Sequence, residues 1–239
     1  MPKKYPVPPH AAAIIAAAGS GSRMNANCNK QFIMIDEIPV LARTLLQFQK
    51  SELTDKIILV VKSDEILTAS DLVREFDITK VSDIVPGGET LQDSVLCGLE
   101  LAAECDIAVI HDGARPFVSV EKINDSIAAA AKYGAAALGV PAKDTVKIVD
   151  ENSTVIQTPD RKNLRLIQTP QSFRTDLILR AYRHAKQAGF CGTDDCSVAE
   201  YMNIPVKIID GEYTNIKITT PEDIPYAEAI LGYIGNIRS

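Results

Sequence analysis

The chain has 239 residues, 46% of them hydrophobic and 23% charged, with 13 Gly and 13 Pro. That composition excludes disordered, collagen-like and fibrous classes, and the length suits one large α/β domain spanning residues 1–239. Lys and Arg number 25 against 31 Asp and Glu, and the resulting charge of −6 argues against a partner gripped along a nucleic-acid backbone.

Lys3 and Lys4 ahead of the apolar run Ala11 to Ala18 have the outline of an export signal. Pro6, Pro8 and Pro9 break the approach, and the run is mostly alanine and far short of the roughly 20 residues a membrane helix needs. A cytoplasmic protein that does not engage a membrane is therefore expected. The five cysteines form no C-x-x-C pair, so reduced thiols are expected rather than a zinc ribbon or redox dithiol.

Short, unalternated and mostly β-branched runs predict buried strands at Ala12–Ala17, Lys56–Val61, Val81–Val85, Ile107–His111 and Ala135–Val140. Helical spacing predicts helices at Val40–Gln49, Asp64–Phe76, Thr90–Ala103 and Val120–Tyr133 between them. A βαβ series of this kind gives a mostly parallel sheet covered by helices. At Asp144 the rhythm breaks. Thr145–Val149 and Thr154–Thr158 alternate around a polar turn at Asp150–Ser153, which predicts a hairpin. Projecting from the domain over residues 144–163, such a hairpin leaves edges and an apolar face unpaired, as a homodimerisation arm would. Then come strand Leu164–Gln168, helices Asp176–Ala188 and Asp194–Tyr201, strands Val206–Ile209 and Asn215–Thr219, and an amphipathic helix opened by Pro221, Glu222 and Asp223.

Four segments could carry chemistry. Gly19-Ser20-Gly21-Ser22-Arg23 directly follows the first strand, where backbone N–H groups can cradle a phosphate, with Arg23 and Lys30 as nearby cations. The third glycine of a dinucleotide fingerprint and the Gly-Lys-Ser/Thr of a Walker loop are both missing. Asp112 and Arg115 in His111–Pro116 sit at a strand's carboxyl end, suited to a ribose hydroxyl or phosphate-bound metal and to a second anion. His111, inside the apolar pattern, is read as structural. Pro86-Gly87-Gly88-Glu89 with Ser94 offers open main-chain groups before a helix. In Asn215–Thr219, period-two alternation places Asn215, Lys217 and Thr219 on one face, so that a strand delivers a lysine.

Together these residues resemble the 2-C-methyl-D-erythritol 4-phosphate cytidylyltransferase family of the non-mevalonate isoprenoid pathway. The likeness runs from about Ala12 to Leu231 and is carried by A-A-G-x-G-x-R-M (Ala17–Met24), K-Q-F (Lys30–Phe32), G-G-x-x-x-x-D-S-V (Gly87–Val95) and H-D-G-A-R-P-F (His111–Phe117). It continues through D-T-V-K (Asp144–Lys147), T-P-Q-x-F (Thr169–Phe173), T-D-D-x-S (Thr193–Ser197) and N-I-K-I-T-T-P-E-D (Asn215–Asp223).

The resemblance implies a Rossmann-like fold of the nucleotide-diphospho-sugar transferase type and a reaction of CTP with the polyol phosphate that releases pyrophosphate. It implies a nucleotide loop at Ala16, Ala17, Ala18, Gly19, Gly21 and Arg23, with Arg23 and Lys30 on the triphosphate. Gly88, Glu89 and Ser94 would read cytosine, and Asp112 and Gly113 would hold the ribose. The acceptor site would comprise Asp112, Arg115, Thr145, Thr169, Thr193 and Lys217, with Arg161 reaching in from the partner subunit's arm. Arg23, Lys30 and Lys217 would be the catalytic cations, and Mg²⁺ would be held chiefly by CTP phosphates rather than by protein ligands. Leu91 stands where the family commonly carries an arginine. The rivals are a ribitol-5-phosphate cytidylyltransferase and a non-catalytic CTP-binding regulator. A metal-dependent glycosyltransferase would want a D-x-D pair, which the chain lacks.

Overall fold

The computed structural model describes residues 8–19 and 30–238. In chain order its elements are β1 (Ala11–Ala16), the short pair β2 (Met34–Ile35) and β3 (Ile38–Pro39), α1 (Val40–Lys50), β4 (Lys56–Val61), α2 (Ile66–Glu75), β5 (Val81–Pro86), α3 (Leu91–Leu101) and β6 (Ile107–Asp112). There follow α4 (Val120–Tyr133), β7 (Ala135–Pro141), β8 (Ile148–Val149), β9 (Val155–Gln157), β10 (Arg165–Arg174), α5 (Thr175–Ala188), α6 (Asp195–Tyr201), β11 (Lys207–Asp210) and α7 (Asp223–Arg238).

Seven strands form one sheet in the order β11-β7-β10-β6-β1-β4-β5, and only β10 runs antiparallel to its neighbours. Because successive side chains point to opposite faces, the apolar central strands feed two cores at once. Ala11, Ala13, Ile15, Ile57, Leu59 and Val109 pack under α1, α2 and α4, where they meet Leu41, Leu45, Phe48, Leu72, Ile123 and Ile127. Ala12, Ile14, Ile58, Val60 and Ile110 pack under α3, α5 and α6 against Val95, Leu99, Ile178, Tyr182 and Val198. The sheet is thus the middle layer of three.

A third, smaller cluster positions part of the site. Ile218 is fully buried with Ile35, Val40, Phe117 and Ala227, and its N–H donates to the Ala114 carbonyl at 2.9 Å. Burying such a side chain stabilises by about 1.5–3 kcal/mol, so it anchors the segment that carries Lys217. The Asn215–Thr219 segment is not the expected strand: it joins no sheet ladder, and its buried members are Asn215 and Ile218 rather than alternate residues. Packing on a loop and a helix replaces sheet pairing. Asp223 then accepts from the Thr219 and Thr220 N–H groups and the Thr219 hydroxyl, closing the entry to α7.

Other differences are local. The helix expected from Asp64 begins as a 3₁₀ turn over Ser63–Glu65. The hairpin pairs over a shorter ladder than its alternation suggests, with the Asp150 carboxylate accepting from Asn152 and Thr154 in the turn. The strand expected at Leu164–Gln168 is the first half of β10. Among the described cysteines, Cys97, Cys105, Cys191 and Cys196 are all free.

Gly98 lets α3 lie close on the sheet, since a Cβ there would stand 2.5 Å from Ile14 Cγ2 and 3.3 Å from Val60 Cγ2. Alanine is a better helix former by about 1 kcal/mol, but overpacking costs about 1–3 kcal/mol. Gly98→Ala is therefore expected to lower the urea midpoint with an unchanged denaturant slope. A midpoint equal to or above that of the unsubstituted chain would contradict this packing.

Candidate active site

The carboxyl ends of β1, β5 and β6 open on one edge of the sheet, where α/β folds place ligands. Three backbone bonds draw their loops together: Ala17 N–H to Val60 O at 2.7 Å, Gly87 N–H to Val61 O at 2.8 Å and Gly113 N–H to Ala16 O at 2.9 Å. A side chain at Gly87 would stand 2.5 Å from Ala18 Cβ and 2.6 Å from Ser94 Oγ, so only glycine allows the loops after β1 and β5 to touch. Ala16 and Ala17 therefore stand beside Asp112 and Gly113, and Ala18 beside Gly87, the neighbour of Gly88. Gly21 and Arg23 lie outside the described residues, and Lys30 opens a 3₁₀ turn over Lys30–Phe32.

Ser94 is buried, and its hydroxyl donates to Thr90 O at 2.9 Å while accepting from Gly88 N–H at 3.1 Å. Its proton is thus spent on the loop itself, whose shape it sets. Glu89 is exposed at the rim, and Leu91, where the family's arginine would stand, is 54% exposed at the start of α3.

Asp112, the last residue of β6, is the electrostatic centre. Its Oδ1 accepts from Lys217 Nζ at 2.8 Å and its Oδ2 from Arg115 Nε at 3.1 Å. Burial pushes the carboxyl up, but Lys217 and Arg115 outweigh it and hold the group below the ordinary aspartate range. One anion between two cations leaves the cluster with a positive excess, ready for a phosphate. Arg115 Nη1 also donates to Asn215 O at 2.8 Å, and Asn215 Nδ2 donates to Thr169 O at 2.9 Å. Gln168 Nε2 adds a bond to Glu212 O at 2.8 Å, so the segment carrying Lys217 is pinned by polar as well as apolar contacts.

Thr169 sits where the β10–β7 ladder breaks register, between Ile167 and Gln171, and the Thr169–Pro170 peptide is cis. Such a break lets a strand re-aim its side chains. Thr169 Oγ1 accepts from Asp112 N–H at 3.1 Å and lies 3.0 Å from His111 Nδ1. Two residues on, Gln171 holds the start of α6, donating to Asp194 Oδ2 at 2.9 Å and accepting from Cys196 N–H at 2.8 Å. Thr193, exposed, precedes that capped helix. Thr145 and Arg161 are exposed on the arm, where Arg161 Nη1 donates to Lys143 O at 2.6 Å, and neither bonds to Asp112, whose partners are Thr169, Arg115 and Lys217.

Sequence reasoning named Asn215 only as a neighbour of Lys217, and it missed the roles of Gln168, Gln171 and the pair Tyr182–Asp195, in which the buried tyrosine hydroxyl donates to the Asp195 carboxyl. A polar residue inside an apolar strand or an anchoring segment was the available cue, because a buried polar group needs partners.

Two buried groups titrate in opposite senses. Burial lowers His111 to about 4, so between there and its ordinary 6.5 the unfolded chain binds a proton that the folded chain refuses. That contribution to stability is full above pH 6.5 and lost as pH falls toward 4. Burial raises Asp195 to about 7 against the pull of Tyr182, so its contribution is full below the ordinary 3.8 and lost as pH rises toward 7. Urea unfolding between about pH 4.5 and 6.5 is expected to show the His111→Phe variant losing stability with rising pH, relative to the unsubstituted chain, and Asp195→Asn gaining it. Parallel pH profiles for all three proteins would refute both assignments.

The profile of the family described as IspD, 2-C-methyl-D-erythritol 4-phosphate cytidylyltransferase, matches residues 11–233. A protein of that name from Geobacillus kaustophilus is 49% identical over 219 residues, covering 92% of this chain and 96% of the relative. Another so named, from Pelotomaculum thermopropionicum, is 46% identical over 222 residues, covering 92% and 93%. Among solved structures, 4-diphosphocytidyl-2C-methyl-D-erythritol synthase from Anaerococcus prevotii superposes with a TM-score of 0.84 at 36% identity, covering 94% of this chain and 96% of that one. A match over nearly the whole chain, in sequence and in fold, leaves one conclusion: this chain belongs to the 2-C-methyl-D-erythritol 4-phosphate cytidylyltransferase family.

Proposed function

We propose that the chain transfers the cytidylyl group of CTP to 2-C-methyl-D-erythritol 4-phosphate, giving the CDP-polyol and pyrophosphate. The observation that carries this reading is Asp112 clamped between Lys217 and Arg115 at the mouth of the glycine-lined cleft. An oxygen of the acceptor phosphate attacks the α-phosphorus in line, and pyrophosphate leaves from the opposite side. A phosphate monoester is already ionised, so no general base is needed and catalysis consists of positioning and charge stabilisation. Lys217 meets the negative charge that grows at the α-phosphate, and Arg23 and Lys30 meet the departing pyrophosphate. Gly88 and Glu89 face the base, and Asp112 and Gly113 the ribose. Arg115, Thr169 and Thr193 take the acceptor.

Mg²⁺ suits this cleft as an ion held mainly by CTP oxygens. Both Asp112 oxygens already accept from cations, and no cluster of three or more metal-ligating side chains occurs among the described residues. When bound, the ion neutralises triphosphate charge.

The active unit in this reading is a homodimer. Ile148, Val149, Val155 and Ile156 are 44–66% exposed on the hairpin, an apolar surface that a second copy would cover and that would carry Thr145 and Arg161 to the neighbouring site. No described helix is long and apolar enough to cross a membrane, in keeping with the proposed cytoplasmic setting.

Pyrophosphate release from CTP should be fast with methylerythritol phosphate and at least about tenfold slower with ribitol 5-phosphate, while Lys217→Ala should cut turnover by about 100-fold or more. A preference for ribitol 5-phosphate, or near-normal turnover by the variant, would overturn the reading. For the dimer, mixing inactive Lys217→Ala chains with Arg161→Ala chains should restore activity through one intact composite site. Verified heterodimers without recovery would rule out the arm's role.

A further inference from the structure

His111 is fully buried at the foot of the Asp112–Arg115 turn, tilted against Phe48 with ring centroids 5.0 Å apart. Both its ring nitrogens are engaged: Nε2 lies 3.1 Å from Arg115 O and Nδ1 lies 3.0 Å from Thr169 Oγ1. A carbonyl oxygen can only accept, so Nε2 must carry the proton. Burial keeps the ring neutral, which leaves Nδ1 bare and able only to accept. The Thr169 hydroxyl therefore donates to His111, and its oxygen accepts from Asp112 N–H. The order of donation is fixed throughout.

We propose that His111 is a positioning residue for the cytidylyl transfer: as the Nε2–H tautomer it holds the Arg115 end of the turn directly and the Asp112 end through Thr169. It rests on the reading above that the acceptor is bound at this turn. With the imidazole removed, the Arg115 carbonyl loses its donor and the Thr169 hydroxyl its acceptor, and the Asp112–Arg115–Lys217 cluster loses its floor. The same bonding redefines Thr169. Its proton is committed to the imidazole, so toward a ligand it presents only a lone pair, which matches a donating hydroxyl of the polyol and not a phosphate oxygen.

The test has a spectroscopic and a kinetic arm. In ¹⁵N-histidine-labelled enzyme at neutral pH, the His111 ring should show a protonated Nε2 and an unprotonated Nδ1. An Nδ1–H tautomer or an imidazolium would overturn the proposal, and this measurement needs no substitution. In steady-state kinetics His111→Phe, which can stack on Phe48, should raise the acceptor KM about tenfold while the CTP KM moves by less than about twofold. Thr169→Val should do the same. The double variant should be little worse than either single one, because the two act in series. His111→Asn, whose amide oxygen can stand near the Nδ1 position, should recover part of the loss. Additive effects, or an equal rise in both KM values, would reduce His111 to packing and refute the proposal. Lys217→Ala serves as the reference: if it retains turnover, the reading of this cleft as the site of cytidylyl transfer fails, whereas if it is inactive and His111→Phe is normal, only the role of His111 fails.

Discussion

Everything at the cleft depends on one buried anion with two cationic partners. An isolated carboxylate taken out of water would cost several kcal/mol and would shed its charge instead. Asp112 stays ionised because Lys217 and Arg115 approach its two oxygens separately, and the three groups come from two distant parts of the chain. The clamp therefore works as a fold constraint: it requires the turn after β6 and the segment before α7 to be in register. Ile218, Asn215 and Gln168 supply that register through burial and backbone-directed bonds.

The location follows from topology. β1 lies between β4 and β6, so the chain leaves it on one side and returns on the other, and the loops at the carboxyl ends diverge there to form a crevice. The antiparallel β10 enters beside β6 and brings Thr169 and Gln171 to the same edge from the opposite chain direction. A parallel strand in that place would have presented its other end. The single antiparallel member thus supplies this edge of the cleft with polar groups that βαβ units alone would not provide.

How much of this was legible in the sequence depended on whether local pattern or tertiary partnership governs the residue. Lys56–Val61 and Val120–Tyr133 were readable to the residue, because burial on two faces of a sheet or one face of a helix leaves a periodic trace. Asn215–Thr219 misled for the same reason: it alternates like a strand, yet its backbone bonds go to the Ala114 carbonyl and to the side chains of Arg115, Gln168 and Asp223 rather than to a sheet edge. Asp112 and Arg115 could be picked out because charge at a strand end is conspicuous. His111 could not, because its two partners lie 4 and 58 residues away and a lone histidine in an apolar run carries no record of them.

The chain's net charge of −6 and its positive cluster are compatible because they act over different distances. At physiological ionic strength exposed charges more than about 8 Å apart are largely screened, so the acidic exterior imposes little on a ligand already inside the cleft. Within the cleft, low polarizability and close approach make the excess of two cations over one carboxylate the field a small anion meets. A long polyanion would have to lie along the acidic surface as well. An acidic total is therefore compatible with a compact phosphate ester in a cleft where Arg115 and Lys217 flank Asp112.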